Sequence, residues 1–165
     1  MNQTKVIYYK KQIINYPLKR KNFNGEWIMG FLDPGVNLEK EQKMLNKYSP
    51  YEWVKAWFRY AHNKSSYWET HFRIAEKGIV FYQATDSGAD LRIPWKDITD
   101  VGWNDVYVYQ LRIPGLIIDL SNGTEILVRL DNGWTGRRNT VHWLRGITRI
   151  IESNMSDQEV EKLDG

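Results

Sequence analysis

The chain has 165 residues, of which 42% are hydrophobic and 14% aromatic, so it carries enough apolar surface to bury a core along most of its length. It contains no cysteine, which excludes disulfide bonds, thiolate zinc sites and thiol nucleophiles. The net charge of +3 is unevenly distributed, because residues 1–70 hold 12 Lys and Arg against 6 Asp and Glu, whereas residues 71–165 hold 11 against 14.

The first 25 residues contain basic side chains and no acidic one. Aromatic residues, among them Tyr8, Tyr9, Tyr16 and Phe23, are interleaved with the basic ones. Such a segment is either a solvated basic arm or edge strand, or a surface that attracts phosphate groups and stacks on bases. The residues of this segment that could bind phosphate or an acidic partner are Lys10, Lys11, Lys19, Arg20 and Lys21.

Two strands and a helix are predicted before residue 49. The strands, at 5–9 and 27–32, precede a turn at 33–35 that contains proline and glycine. Residues 37–48 predict a helix, because their apolar side chains fall on one side at the helical period.

A second helix is predicted from Ser49 to Ala61. The sequence Ser49-Pro50-Tyr51-Glu52 matches a capping box with proline at the first helical position. The aromatic residues of this segment would share one broad face, which either fills a groove on the rest of the domain or contacts a partner or a membrane surface. The residues that could bind a partner are Trp53, Trp57, Tyr60 and, in a later loop, Trp134.

From His71 onward, short strands alternate with turns. Two strands flank a turn at 76–78, and a polar loop follows the second. The strand that begins at Leu91 contains Pro94, which has no N–H to donate to a ladder and therefore marks a sheet edge or a bend. The alternation restarts at Ile98, so we expect the chain to turn a corner here.

Two further strands are predicted at 106–113 and 115–120, separated by a break at Pro114 and Gly115. A three-residue loop, with Gly123 in the left-handed conformation, joins the second strand to the next one. This register keeps the apolar faces together: it places Leu120 opposite Thr124, Ile118 opposite Ile126 and Leu116 opposite Val128.

The last predicted element is an amphipathic helix capped by Asn139 and ending near Ser153. Its apolar side consists of Val141, Trp143, Leu144, Ile147, Ile150 and Ile151. The opposite side carries a basic stripe, which consists of Arg138, His142, Arg145 and Arg149. The stripe is either a solvated helix face or a site for phosphate or an acidic partner. Gly146 should let the helix approach the sheet closely, and the acidic tail, 154–165, should form a short turn or a frayed end.

Four segments together resemble the pleckstrin-homology-like superfold, in particular bacterial pleckstrin-homology and GRAM-like domains. They are "FRIAEKGIVFYQ" from Phe72, "LRIPWKDITDVGW" from Leu91, "GLIIDLSNGTEILVRL" from Gly115 and "NTVHWLRGITRIIES" from Asn139. The resemblance implies an α+β fold, in which about seven antiparallel strands within residues 71–153 form a split β-barrel closed by the C-terminal amphipathic helix. Residues 1–70 would be a basic, aromatic-rich extension with one or two helices packed on the barrel, and residues 154–165 an acidic tail.

The resemblance also implies a binding scaffold without catalytic machinery, which serves as an adaptor, a membrane-surface targeting unit or a partner-docking module. Members that bind phosphoinositides concentrate Lys and Arg around the first hairpin, where this chain has Arg73 and Lys77. We therefore expect a non-enzymatic module of bacterial or phage origin that docks on a protein partner or the inner membrane surface, with an immunity, inhibitor or regulatory role. The alternative is a nucleic-acid-binding protein that uses the basic arm and the basic stripe.

No residue pattern points to a catalytic site, a metal site or a cofactor. The histidines lack ligand spacing, and the sequence shows no nucleophile elbow or phosphate-binding glycine loop. Asp97, Asp100 and Asp105 fall near the corner as turn formers, whereas a hydrolase would bring His71 beside Asp97 or Asp100. No apolar run reaches the ~18 residues that span a bilayer and the start lacks a secretory signal, so we expect a cytoplasmic protein that is peripheral at the inner face of the membrane if it docks there.

Overall fold

A computed structural model describes the backbone of residues 20–21, 27–28, 35–60, 68–108, 111–130 and 136–164. Side chains are described for residues 35–59, 69–104, 114–130 and 136–155. The predicted strand at 5–9 lies outside these residues. Within them, neither helix has the long apolar stretch needed to cross a membrane.

The described residues form one sheet and two α-helices. In chain order the elements are β1 (Arg20–Lys21), β2 (Trp27–Ile28), α1 (Leu38–Lys47), β3 (Val54–Tyr60), β4 (Trp68–Ala75), β5 (Gly78–Phe81), β6 (Leu91–Pro94), a 3-10 turn (Trp95–Asp97), β7 (Ile98–Val108), β8 (Leu111–Leu120), β9 (Glu125–Arg129) and α2 (Arg137–Asp164). The strand order is β2-β1-β7-β8-β9-β3-β4-β5-β6, and all neighbours among β3 to β9 are antiparallel.

The predicted α+β class is confirmed. Seven strands of four or more residues, β3 to β9, form an antiparallel sheet, and helix α2 follows the last of them in the chain. In the described part of the chain the sheet is open, because β6 lies at one end and the short β1–β2 pair at the other. An open antiparallel sheet covered by a helix fits a split barrel.

The core lies between the inner face of the sheet and one side of α2. On the sheet, Phe58 stacks on Phe81 with ring centroids 4.9 Å apart, and Phe72 meets Trp143 of α2 at 6.2 Å. The predicted apolar side of the helix is confirmed, since all its members are buried in this core: Val141, Trp143, Leu144, Ile147, Ile150 and Ile151. Burial of these large side chains is the main favourable contribution to folding.

The corner after β6 forms where the proline predicts it. Pro94 ends β6, the last strand of the described sheet, and the 3-10 turn then redirects the chain into β7. Trp95 is buried and its indole Nε1 donates to the carbonyl of Glu76 at 2.9 Å. The amide of Ser121 donates to the carbonyl of Asp97 at 2.8 Å, which ties the corner to the hairpin between β8 and β9.

The hairpin between β8 and β9 has the predicted three-residue loop. Gly123 has a φ of 84°, and the amide of Leu120 donates to the carbonyl of Thr124 at 2.9 Å. The two other predicted pairs are also found: Ile118 lies opposite Ile126 and Leu116 opposite Val128. A glycine takes this left-handed position without the strain of a Cβ atom.

The predicted helix from Ser49 to Ala61 is wrong, because the segment forms one turn and then strand β3. The Ser49 hydroxyl accepts from the amide of Tyr51 at 3.3 Å, and the amide of Glu52 donates to the Ser49 carbonyl at 3.3 Å. Beyond this turn, ladders with β4 and β9 satisfy the backbone, and burial follows the strand period of two, with Ala56 and Phe58 inside. The sheet therefore extends towards the N-terminus past residue 71.

The predicted break at Pro114 and Gly115 is wrong, because β8 runs through both residues from Leu111 to Leu120. The predicted strand 106–113 is instead divided between β7 and β8, which pair with each other. The ladder between β8 and β9 begins at Gly115, one residue after the proline. Pro114 thus lies outside that ladder, where a strand tolerates the missing N–H.

The last helix is longer than predicted, since it begins at Arg137 and ends at Asp164. At its start the Gly136 carbonyl accepts from the amide of Thr140 at 3.0 Å and from its hydroxyl at 2.7 Å, so Asn139 is not the cap. The helix continues past residue 153, where the side-chain amide of Asn154 donates to the Ile150 carbonyl at 2.9 Å. The residues that follow are mostly good helix formers without proline or glycine until the last position.

Helix α1 is confirmed, with Asn37 as its cap: the Asn37 side chain accepts from the amide of Lys40 at 3.1 Å. It packs on α2 through a buried ion pair, in which Arg149 Nε donates to Glu41 Oε1 at 2.7 Å. The two side chains are 1% and 0% exposed. Gly146 faces α1 and not the sheet as predicted, since a Cβ there would lie 2.8 Å from Leu45 Cδ1.

Removing one partner of the buried ion pair should destabilise the protein strongly. Glu41→Gln or Arg149→Met leaves the other charge buried with less compensation, and we expect a loss of about 3–5 kcal/mol in the free energy of unfolding. Urea denaturation followed by circular dichroism measures it. The double variant Glu41→Gln/Arg149→Met should lose less than the sum of the two single variants, and strict additivity would contradict direct pairing.

Gly78 should not tolerate a side chain. A Cβ at this position would lie 2.8 Å from the Ile93 carbonyl carbon and closer still to its oxygen, on the neighbouring strand β6. Gly78→Ala should therefore cost at least about 2 kcal/mol in the free energy of unfolding, measured in urea. Gly35→Ala is the matched control, since nothing lies within 4 Å of its added Cβ, and it should change stability by less than about 0.5 kcal/mol.

Candidate functional site

Two large aromatic side chains lie exposed next to each other on the outer side of the sheet. Trp53 is 43% exposed and Tyr82 is 45% exposed, and their ring centroids are 5.4 Å apart with the planes at 78°. A scattered exposed aromatic residue needs no explanation, but an adjacent pair is a feature of binding surfaces.

The sheet topology brings the two rings together. Trp53 directly precedes β3 and Tyr82 directly follows β5, while β4 lies between these two strands. The amide of Tyr82 donates to the carbonyl of His71 on β4 at 2.8 Å, and the rings of these two residues are 6.4 Å apart. Backbone hydrogen bonds of the sheet thus hold the aromatic pair in position.

An arginine from β4 completes the group. The guanidinium carbon of Arg73 lies 5.2 Å from the centroid of the Trp53 ring, which is within the range of a cation–π contact. We refer to Trp53, Tyr82, His71 and Arg73, together with the cavity beside Trp53, as the Trp53 surface.

The cavity has a volume of about 400 Å³ and lies between the end of α1 and the start of β3. Its walls are Lys47, Tyr48, Ser49, Glu52, Trp53, Val54 and Lys55. This volume falls within the range of sites that accept a small molecule or a few side chains. Tyr48 is held in place by its carbonyl, which accepts from the indole Nε1 of Trp143 at 2.7 Å.

Positive charges outnumber negative charges around the Trp53 surface. Lys47 and Lys55 line the cavity with Glu52, and Arg73 lies on the Trp53 ring. The Lys55 ammonium is 3.6 Å from Glu69 Oε1, but both side chains are about half exposed. Because solvent weakens an exposed pair to roughly 0–1 kcal/mol, Lys55 can exchange Glu69 for another carboxylate at little cost.

Of the four aromatic residues predicted to bind a partner, the structure describes the side chains of two, Trp53 and Trp57. Trp53 belongs to the Trp53 surface, whereas Trp57 lies on the outer side of β3 with the guanidinium carbon of Arg129 4.9 Å from its ring centroid. The backbone of Tyr60 belongs to β3, but its side chain lies outside the described residues, as does all of Trp134. Trp53 and Trp57 share a face through the strand period of two and not through a helix.

The basic stripe of α2 is not the solvated face that the sequence predicts. Arg138 is exposed, but His142, Arg145 and Arg149 are buried. Helix α1 covers Arg149 through Glu41, and the guanidinium of Arg145 lies 5.9 Å from the ring centroid of Trp103. Because both arginines are buried, neither is available at the surface to a phosphate group.

The basic residues of the N-terminal segment are mostly outside the described residues. Lys10, Lys11 and Lys19 lie there entirely. Arg20 and Lys21 form β1, which pairs with β2 and meets β7 at Trp103, but their side chains are not among those described. Phosphate binding by this segment stays a prediction.

The contacts described for Asp100 and His71 are with other residues. The Asp100 carboxylate accepts from the amide of Val101 at 3.0 Å. The ring of His71, on β4, lies against the ring of Tyr82. The side chain of Asp105 is outside the described residues. Within the described part of the chain, no group of three or more His, Asp or Glu side chains could hold a metal ion.

Sequence reasoning missed Tyr82, the cavity and the burial of the basic stripe. The strand alternation from Ile79 is a signal for Tyr82: Ile79 and Phe81 face the core, so Tyr82, the next residue, faces the other side. A signal for the burial is Glu41, which falls on the same side of α1 as Leu45. A single acid on an apolar helix face indicates a buried partner.

Comparisons with known proteins find similarity among solved structures. No family model matches the chain, and no curated protein matches it. Among solved structures, the chain is similar to inner membrane complex sub-compartment protein 3 from Toxoplasma gondii, with a TM-score of 0.47 and 13% sequence identity. The similarity covers 75% of this chain and 90% of that chain.

The burial of His142 should make stability depend on pH. Burial, followed by the charges of Arg145, Lys40 and Arg138, lowers the pKa of His142 below its usual 6.5. Because the folded state then binds fewer protons than the unfolded state, the free energy of unfolding should fall as the pH drops below about 6.5. His142→Gln should flatten this slope, measured by urea denaturation between about pH 5 and pH 8.

His71→Gln is the matched control, since it removes an imidazole from the outer side of β4. Equal slopes in the wild type and His142→Gln would show that other groups set the pH dependence.

Proposed function

We propose that this chain is a non-enzymatic binding module that docks a protein partner at the Trp53 surface. The observation that carries the proposal is the adjacent exposed pair of Trp53 and Tyr82, with Arg73 on the Trp53 ring and a cavity at its side. Trp, Tyr and Arg are the residues that most often dominate the binding energy of protein interfaces.

The position of the aromatic pair also supports docking. Both residues sit at the ends of paired strands, and neighbouring strands hold their backbones through hydrogen bonds. A surface held rigid before binding loses little conformational entropy when it binds, so more of its contact energy becomes affinity.

A protein partner suits the shape of this surface better than a membrane does. Residues that insert into a membrane protrude from the surface, with apolar tips above basic side chains. Here Trp53 forms a wall of a concave cavity, and Glu52 faces the same space.

The nucleic-acid alternative has less support. It requires the basic N-terminal segment and the basic stripe of α2 to share one surface, and three of the four stripe residues are buried. In addition, the planes of Trp53 and Tyr82 lie at 78°, which offers no pair of parallel ring faces between which a base could stack.

We also propose that the fold is of the pleckstrin-homology-like type, with a bacterial or phage origin. The support is the resemblance of the four sequence segments together with the observed order of seven antiparallel strands and a C-terminal helix. Scaffolds of this kind host many functions, so the functional proposal rests on the Trp53 surface and not on the fold.

Truncating the Trp53 surface should abolish partner binding without unfolding the protein. Trp53→Ser and Tyr82→Ser remove exposed rings, so we expect near-wild-type thermal stability but a loss of roughly 30-fold in affinity, about 2 kcal/mol. The measurement is affinity capture from the native host lysate at moderate salt. It is followed by titration of the identified partner in purified form.

Val36→Ser is the matched control, because Val36 is 53% exposed and precedes α1, outside the Trp53 surface. A partner that binds the Trp53→Ser/Tyr82→Ser double variant as tightly as the wild type would contradict the proposal. Recovery of nucleic acid alone, lost as the salt concentration rises, would favour the alternative.

A further inference from the structure

The cavity beside Trp53 combines an apolar wall with a cationic rim. Tyr48, Trp53 and Val54 supply aromatic and aliphatic surface, while the lining also includes Lys47 and Lys55. The Lys47 ammonium lies 5.4 Å from the centroid of the Tyr48 ring, near the wall of the cavity. An occupant that matches this lining has an apolar part inside and a negative charge at the rim.

Arg73 can meet a negative charge beside Trp53. Its guanidinium carbon lies 5.2 Å from the centroid of the Trp53 ring, and its side chain is partly exposed. A planar guanidinium can bind a carboxylate through two parallel hydrogen bonds. A cationic group of a partner would be repelled by Arg73 at this position.

Two carboxylates lie among the three cationic side chains of this surface. Glu52 lines the cavity and Glu69 lies beside Lys55. Lys47, Lys55 and Arg73 outnumber them, so an incoming anion is attracted overall. In a protein partner, Asp and Glu side chains supply such anions.

From these contacts we infer that the Trp53 surface binds an acidic peptide segment of its partner, in which an apolar side chain enters the cavity and flanking Asp or Glu side chains meet Arg73 and Lys55. This inference rests on the proposed docking function, and it specifies the partner's binding segment as acidic with an apolar anchor. The apolar side chain supplies the anchor, and the acidic side chains fix the direction and register of the segment.

A randomised peptide library displayed on phage tests the inference with the full chain as bait. Clones that survive after depletion on immobilised Trp53→Ser are sequenced, and representative peptides are synthesised and titrated by fluorescence anisotropy. We expect enrichment of an aromatic or large aliphatic residue flanked by Asp or Glu. Arg73→Glu should weaken these peptides at least tenfold, roughly 1.4 kcal/mol or more.

The matched control is Arg138→Glu, which makes the same change of net charge at the exposed start of α2. It should change the affinity less than twofold. As a second readout, replacing the peptide's acidic residues with lysine should restore part of the binding to Arg73→Glu, because the interaction is then between opposite charges again.

Several outcomes would overturn the inference. They are enrichment of peptides without acidic residues, equal binding to the wild type and Arg73→Glu, no enrichment at all, or saturable binding to vesicles containing phosphatidylserine in place of peptides. If Trp53→Ser still loses the captured host partner while the library yields neutral or basic peptides, the docking function stands and the acidic chemistry is wrong. If Trp53→Ser keeps the host partner, both proposals fail.

Discussion

The buried ion pair between Glu41 and Arg149 determines how α1 lies across α2, and the candidate site depends on that packing. Charges removed from water are tolerated only when a partner is close, and here Arg149 Nε and Glu41 Oε1 are 2.7 Å apart with almost no exposure. The pair joins positions 108 residues apart in the chain. The end of α1 supplies Lys47 and Tyr48 to the cavity, and the Tyr48 carbonyl is bonded to Trp143 of α2.

Helix α2 is buried on two sides for different reasons. One side packs its apolar residues into the sheet, while the polar side carries His142, Arg145 and Arg149 under α1 or against the ring of Trp103. Gly146 lets the two helices meet, since a side chain there would collide with Leu45. A helix whose sequence is amphipathic can therefore bury both its apolar and its polar side. Most of the basic stripe therefore contributes to packing inside the protein and does not form a surface site.

The Trp53 surface is built from short contributions of separate elements. Trp53 directly precedes β3, His71 and Arg73 lie on β4, and Tyr82 directly follows β5, so three neighbouring strands position these four side chains. None of these residues is chemically unusual by itself. Their value for binding comes from being held side by side, with an aromatic pair, a guanidinium and a cavity within one region. Such a combination gives both an anchor and directional polar contacts, which a docking module needs.

The sequence by itself determined the elements that depend on local backbone chemistry. At the loop 121–123 and at the corner after Pro94, glycine and proline act on the backbone around them. Only the tertiary structure decided that β3 is a strand, that β8 continues through Pro114, and that the stripe of α2 is buried. In each case the deciding contacts come from other elements: β4 and β9 pair with β3, β7 and β9 pair with β8, and Glu41 of α1 reaches Arg149. Local preference is worth less than 1 kcal/mol per residue in most cases, so such tertiary pairing overrides it.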